Sequence, residues 1–184
     1  MLSPPDGPAA DAAEAVTLQL VALLLNLKDR IAALEDRIAQ ALATHADADV
    51  FTHLPRAGTV RAATLLAEIG DARGRYPSDD ALAAAAGVSP STRASGRSRA
   101  VVFRQGCNRR LRQALVDFAD GIRQSSPWAK AVYDRARARG ARHAHAIRVL
   151  ARAWIRVIWR CWTDHAPYDP AAHGGALRLT DAAA

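Results

Sequence analysis

The chain has 184 residues, half of them apolar, and its ten aromatics include four tryptophans; that is enough for one domain with an appendage. The net charge of +7 is unevenly spread: residues 91–160 carry sixteen arginines and Lys130 against Asp117, Asp120 and Asp134, a net +14, while the remainder carries eight basic and fifteen acidic residues, a net −7. Cys107 and Cys161 stand far apart in no metal-ligand spacing, which suits a reduced, cytoplasmic protein and excludes a disulfide scaffold.

A basic surface confined to one segment is expected where a protein meets phosphates. The competing reading is a set of solvated helix faces. The N-terminus lacks the basic n-region of a signal peptide. No uninterrupted apolar run reaches the ~20 residues of a membrane span, so no membrane partner is expected.

Residues 1–11, MLSPPDGPAAD, read as disordered. Residues 12–45 read as a coiled-coil helix. Leu20, Leu24, Leu27, Ile31, Leu34, Ile38 and Ala41 alternate by four and three, a heptad repeat. Leu24, Ile31 and Ile38 at a, with Leu20, Leu27 and Leu34 at d, favour two parallel strands. Arg30 at g and Glu35 at the next e have opposite signs. A homo-oligomer through this coil is expected, with packing of the helix on its own domain as the alternative.

A break is expected at 45–52. In "LPRAGTVRAATLLAEIGD" (54–71), Pro55 and Gly58 open a helix with Val60, Leu65, Leu66 and Ile69 on its apolar face. "YPSDDALAAAAGVSP" (76–90) gives a short helix with Ser78 as N-cap and Gly87 as C-cap. This pair resembles a helix-hairpin-helix, whose glycine turn and helix N-terminus contact a DNA phosphate. Arg56 stands where the first of two turn glycines is usual, and only Gly58 remains. The hairpin is therefore either a phosphate contact, with Arg56 reaching out, or purely structural.

Residues 91–105 read as an exposed loop with a short extended piece at 100–103. From 92 to 115 the chain carries Arg93, Arg97, Arg99, Arg104, Arg109, Arg110 and Arg112 and no acidic residue. A helix follows at 107–124, with Leu111, Leu115, Phe118 and Ile122 on one face. Its first turn holds Arg109, Arg110 and Arg112. Cations are unfavourable at a helix N-terminus, so an anion is expected there, and a phosphate would serve. Ser126 and Pro127 open a helix at 127–139, which Gly140 stops. The last helix, 142–163, repeats Arg148, Arg152, Arg156 and Arg160 every four residues. Beside that stripe lies the apolar face of Ile147, Ala151, Trp154, Ile155, Ile158 and Trp162. The stripe is a phosphate surface or a solvated face. "APYDP" ends the domain, and 171–184 reads as a tail. The expected fold is all-α: the coiled-coil helix, then a compact helical domain over 50–170 containing the hairpin-like pair.

A serine hydroxyl attacks a phosphodiester only when its proton is removed and the phosphate's charge is offset. Ser95, among Arg93, Arg97 and Arg99, has the cationic half of that requirement, and Gly96 permits a turn beside it. Metal-assisted phosphoryl transfer wants converging carboxylates, and those here are scattered. Asp117 and Asp120 share a helix but nothing completes a metal site. His143 and His145, two apart on a helix, do not face together. No metal or other cofactor is expected in this chain.

The blocks "LPRAGTVRAATLLAEIGD", "YPSDDALAAAAGVSP", "SGRSRAVVFRQGCNRRLRQAL", "SPWAKAVYDRARARGARHAHAIRVLARAWIRVIW" and "PYDP" occur in an order that resembles the C-terminal transposase domain of the IS110-type insertion-sequence transposases. The resemblance covers about residues 50–170. It implies a DNA recombinase whose N-terminal RuvC-like domain holds Mg²⁺ on four acidic residues, with a structured RNA bridging donor and target. It also implies a serine of the C-terminal domain that forms a covalent phosphoserine link to DNA, and that serine falls on Ser95. The family's basic Gly-Asn-x-x-Leu-Arg block falls on Arg104, Gly106, Asn108, Leu111 and Arg112. Arg104 stands where lysine is common. On this resemblance Arg56, Gly58, Arg93, Arg97, Arg99, Arg104, Asn108, Arg109, Arg110, Arg112, Arg148, Arg152 and Arg156 are candidate DNA or RNA contacts, and Gly96 and Gly106 shape turns. The residues before the coil are too few for a RuvC-like domain. The expectation is therefore a truncated, split or remnant transposase, inactive alone, or a nucleic-acid-binding dimer without chemistry.

Overall fold

The computed structural model describes residues 7–95, 98–102 and 104–171, over 91–102 as backbone alone. In chain order it contains α1 (Pro8–Ala43), α2 (Ala48–Thr52), α3 (Gly58–Ile69), a 3-10 turn at 73–75, α4 (Asp79–Ala85), β1 (Ser91–Ser95), β2 (Ser98–Val102), α5 (Arg109–Ile122), α6 (Pro127–Ala138) and α7 (His143–Asp164). A long N-terminal helix followed by a helical domain is the expected architecture. A two-stranded antiparallel hairpin is added to it between α4 and α5.

Near the N-terminus the structure differs from the sequence reading in two places, each for a local reason. Helix α1 starts at Pro8, inside the stretch read as disordered. Proline at the first helical position loses no needed N–H, and alanines at 9, 10, 12 and 13 favour helix. Helix α2 occupies the expected break; five residues are too few to show a 3.6-residue period. Consequently the hairpin of helices runs from α2 through 53–57 into α3, not from α3 into α4. Residues 172–184, read as a tail, lie outside the described residues.

The caps are those expected. The Ser78 hydroxyl accepts from the Ala81 N–H at 3.1 Å, and the Ser126 hydroxyl from the Ala129 N–H at 3.3 Å.

Helix α7 is the spine. Ile147, Leu150, Ala151, Trp154, Ile155, Ile158 and Trp162 are all buried. Helices α4, α5 and α6 pack on it, and α3 links α5 to α1 and α2. Phe118 of α5 and Trp128 of α6 meet Trp154 edge-on, at ring-centre distances of 5.2 and 5.1 Å, an arrangement aromatic quadrupoles favour. The Trp162 indole N–H donates to the Gly70 carbonyl at 2.8 Å, and that of Trp159 to the Tyr76 carbonyl at 3.0 Å.

Only the last turns of α1 join the domain. Leu42 is its one buried residue among those described, and Ile38, Ala41 and Leu42 border Ala63 and Leu66 of α3. The heptad positions Leu20, Leu24, Leu27, Ile31 and Leu34 are 48–65% exposed. Packing on the chain's own domain thus accounts for the foot of α1 and leaves its apolar stripe uncovered. By length and composition alone α1 would also suffice to cross a membrane, although no uninterrupted apolar run appears in the sequence. Lys28, Asp29, Arg30, Glu35, Asp36 and Arg37 crowd its second half.

One ion pair fastens this foot to the spine. Asp47, just before α2, is 2% exposed and takes both arms of the Arg73 fork at 2.5 Å. Arg73 Nε also donates to the Trp162 carbonyl at 2.9 Å, and its guanidinium lies 4.9 Å over the Trp162 ring. The hydrogen bond from Arg73 holds the Asp47 carboxyl below its ordinary pKa. Removing one partner of a buried pair leaves the other unsatisfied, so Asp47→Ala is expected to cost about 3 kcal/mol, read as a lowered urea midpoint. A depressed folded-state pKa stabilises above the unfolded value of about 3.9. The gap between wild type and Asp47→Ala should therefore be full at neutral pH and close as pH falls through the folded-state value.

Candidate nucleic-acid interface

The strand register pairs Ser91 with Val102, Arg93 with Ala100, Ala94 with Arg99 and Ser95 with Ser98. Ser95 is thus the last residue of β1, at the tip of a hairpin. It stands about 14 Å along the strand from Ser91, at ~3.4 Å per residue. Gly96 and Arg97, the two residues between the strands, lie outside the described residues, as do the side chains over 91–103. Of the expected extended piece at 100–103, residues 100–102 end β2 and residue 103 lies outside the described residues.

The hairpin's root is built from both flanking helices. The Asn108 side-chain carbonyl caps α5, accepting from the N–H groups of Arg110 and Leu111 at 3.0 and 3.1 Å. Its amide Nδ2 donates to Glu68 Oε2 at 3.0 Å, and its backbone N–H to the Ala85 carbonyl at 2.8 Å. Arg112 turns back toward the end of α4 and the segment 104–107. Its Nε donates to the Ala86 carbonyl at 3.3 Å, and Nη2 reaches the Arg104 carbonyl and Cys107 Sγ. Gly87 has φ +66°, and a Cβ there would stand 2.3 Å from Arg112 Nη2 and 2.7 Å from Cys107 Cβ. Only glycine admits this approach. The sequence showed Gly87 merely as a helix cap; Glu68 carried no sequence signal, because its partner is forty residues away.

These contacts divide the basic block. Asn108 and Arg112 are engaged inward, in positioning. Arg104, Arg109 and Arg110 are exposed, as is Gly106. The anion expected at the N-terminus of α5 has an internal counterpart in the Glu68 carboxylate on Asn108.

The stripe on α7 divides too. Arg152 is 18% exposed and pairs with Asp79 at 2.9 Å and with Asp80, binding α7 to the first turn of α4. Arg156 Nε lies 3.5 Å from Asp79, and Arg160 pairs with Asp164 at 2.5 Å. Arg148 borders a cleft of about 270 Å³ with Arg112, Gln113, Asp117, Asp120 and His143. Burial, then the nearby Arg112, hold its guanidinium below the usual arginine range.

The turn before α3 has the form of a phosphate-binding hairpin in unusual surroundings. Arg56 and Gly58 have φ of +53° and +60°. Arg56 thus adopts the left-handed conformation that makes glycine usual at that place. Yet Arg61 Nη1 donates to the Arg56 carbonyl at 2.8 Å. The groove of about 700 Å³ in front is lined by Glu35 and Asp36 of α1 and Asp117 of α5. Three carboxylates weaken the pull of this turn on a phosphate. Among the described residues no three His, Cys, Asp or Glu side chains converge as metal ligands.

Residues 48–134, from α2 into α6, match the sequence profile of the transposase IS116/IS110/IS902 family. Over these residues the chain has the pattern of an IS110-type transposase domain. It is 37% identical over 154 residues to the IS117 mini-circle protein of Streptomyces coelicolor, an alignment covering 82% of this chain and 37% of that one. It is 32% identical to the 42 kDa protein of insertion element IS900 from Mycobacterium paratuberculosis, over 89% of this chain and 40% of that protein. The 43.6 kDa protein of insertion element IS110 from Streptomyces coelicolor is likewise 32% identical, over 88% and 40%. The chain spans about two-fifths of the length of these relatives. The transposase domain contains the helical turn, the strand hairpin and its root, while α7 supports it from outside the matched segment.

Two substitutions test this division. Gly87→Ala, strained in φ and clashing with Arg112 and Cys107, is expected to cost about 2 kcal/mol or more, read by thermal denaturation. Arg152→Ala should lower stability by about 1–3 kcal/mol while changing duplex affinity less than twofold, measured by fluorescence anisotropy.

Proposed function

We propose that this chain is the DNA-binding C-terminal part of an IS110-type transposase, with Ser95 as nucleophile on a DNA phosphodiester. The observation that carries this reading is the position of Ser95 at the tip of an arginine-bearing hairpin whose root is anchored by Asn108, Arg112 and Gly87. A nucleophile must be held within a fraction of an ångström of its line of attack. A hairpin tied to two helices supplies such support better than the free loop expected from sequence.

In the proposed step the Ser95 Oγ forms a bond to phosphorus and loses its proton. The bridging P–O bond of the DNA breaks, and the departing oxygen takes up a proton as a free hydroxyl end. Arg93, Arg97, Arg99, Arg104, Arg109 and Arg110 offset the charge of the phosphates nearby. The link conserves the phosphodiester as a phosphoserine ester, so a second hydroxyl can reverse or redirect it. No part of this step runs through a metal bound here. The acidic residues that would hold Mg²⁺ would be those of the RuvC-like domain that the family resemblance implies. A structured guide RNA, assembly through α1 and a cytoplasmic setting complete the proposal.

The exposed heptad stripe of α1 favours a second reading, a nucleic-acid-binding dimer that performs no chemistry. One experiment separates the two. The chain is mixed with a family RuvC-like domain, Mg²⁺ and labelled donor DNA, then denatured and resolved by electrophoresis. The first reading expects a covalent protein–DNA adduct that Ser95→Ala abolishes while duplex binding stays within twofold. An adduct that survives Ser95→Ala sinks the serine assignment, and no adduct with either protein supports the dimer.

A further inference from the structure

The stripe of α7 is largely compensated by Asp79, Asp80 and Asp164. The free positive charge of the C-terminal half lies elsewhere. Between α6 and α7 the chain reads "RARARGAR", residues 135–142, with no acid. Arg135, Arg137, Arg139 and Arg142 are all exposed. Arg137 bends back to donate to the Ala141 carbonyl at 2.8 Å, inside the turn that Gly140 makes at φ +84°.

The other three have no ion-pair partner among the described residues. The acids nearest in sequence are already taken. Asp134 pairs with Lys130 at 2.5 Å and Asp120 with Arg123 at 2.6 Å, and no acid stands in the first turn of α7. Arg135 complements the C-terminal end of the α6 dipole, worth a few tenths of a kcal/mol. That explanation does not extend to Arg142, which precedes α7 and meets the opposite, positive end of a helix. Arg139, the C-cap of α6, shares the favourable end with Arg135, so local helix electrostatics leave Arg142 unexplained.

We propose that the corner between α6 and α7 is a second contact for the phosphate backbone of duplex DNA, made by Arg135, Arg139 and Arg142. This rests on the reading that the chain binds DNA. The chemistry favours a duplex over an unpaired strand, because single strands are gripped by stacking their bases on free aromatic rings. The ring at this corner, Tyr133, is already engaged: its hydroxyl and His143 Nδ1 are 2.9 Å apart, and the Arg123 guanidinium lies 5.3 Å over it. Guanidiniums that contact phosphates position a duplex and carry no sequence information. The corner holds the duplex while the strand hairpin acts on it.

The test is the salt dependence of binding to a labelled random-sequence duplex, followed by anisotropy, for the full chain and for Arg135→Gln/Arg139→Gln/Arg142→Gln. Each phosphate contact contributes about one unit to the log–log slope. The triple variant should lose about three units and bind at least tenfold more weakly at low salt, with its melting temperature within a few degrees of wild type. Replacement of all three by lysine should restore the slope. Where the triple variant melts early, Arg139→Gln alone, beyond the helix end, should lose about one unit. Wild-type slope and affinity in a folded glutamine variant overturn the proposal, as does a loss confined to structured RNA. A wild-type chain that binds no duplex at all instead overturns the DNA-binding reading beneath it.

Discussion

Asp47 and Arg73 hold the molecule's geometry. A carboxylate 2% exposed would be untenable alone, and the Arg73 fork is what keeps it charged. Because the same guanidinium takes the Trp162 carbonyl and covers the Trp162 ring, three separate parts meet at one side chain. They are the corner after α1, the 3-10 turn and the end of α7. The direction in which α1 leaves the domain is set there. So is the seat of the segment 70–76, whose Gly70 and Tyr76 carbonyls accept from the indoles of Trp162 and Trp159. A subunit joined through α1 would thus have its angle fixed by an ion pair far from the strand hairpin.

Arginine serves two purposes in this domain, and exposure separates them. Arg73, Arg112 and Arg152 are partly or largely covered and donate to carbonyls or carboxylates of other elements. Their fixed forks tie together segments that are distant in sequence. Arg104, Arg109 and Arg110 stand in solvent around the hairpin's root, and Arg135, Arg139 and Arg142 around the α6–α7 corner. The +14 of residues 91–160 is therefore not one surface. Part of it is structural cement, while Arg104, Arg109 and Arg110 at one place and Arg135, Arg139 and Arg142 at another are exposed.

The hairpin of helices illustrates how a motif can keep its backbone and change its surroundings. Arg56 adopts the left-handed conformation of the missing glycine, so the turn keeps its shape. The carboxylates of Glu35, Asp36 and Asp117 border the groove in front of it. The proposed contacts with a polyanion lie instead at the strand hairpin and the α6–α7 corner.

Periodicity and punctuation made most of the helices legible. The apolar faces of α3, α5 and α7 repeat at helical spacing, and Ser78, Ser126, Gly70 and Gly140 mark their ends at the residues that local backbone chemistry requires. The block order around Ser95 likewise identified the transposase domain from sequence alone. Helix α2 escaped because one and a half turns carry no period; β1 and the start of β2 escaped because small and basic residues lack an apolar alternation, and only the stretch from residue 100 read as extended. The fate of each arginine could not be read at all. Arg109 and Arg112 sit in the same first turn, yet one is exposed and the other reaches Ala86 and Arg104. Arg152 looked like its neighbours in a stripe until α4 brought Asp79 and Asp80 against it. Local sequence determines which residues can form a helix or carry a charge; which charges remain for a partner depends on residues tens of positions away, and only the packed fold brings those together.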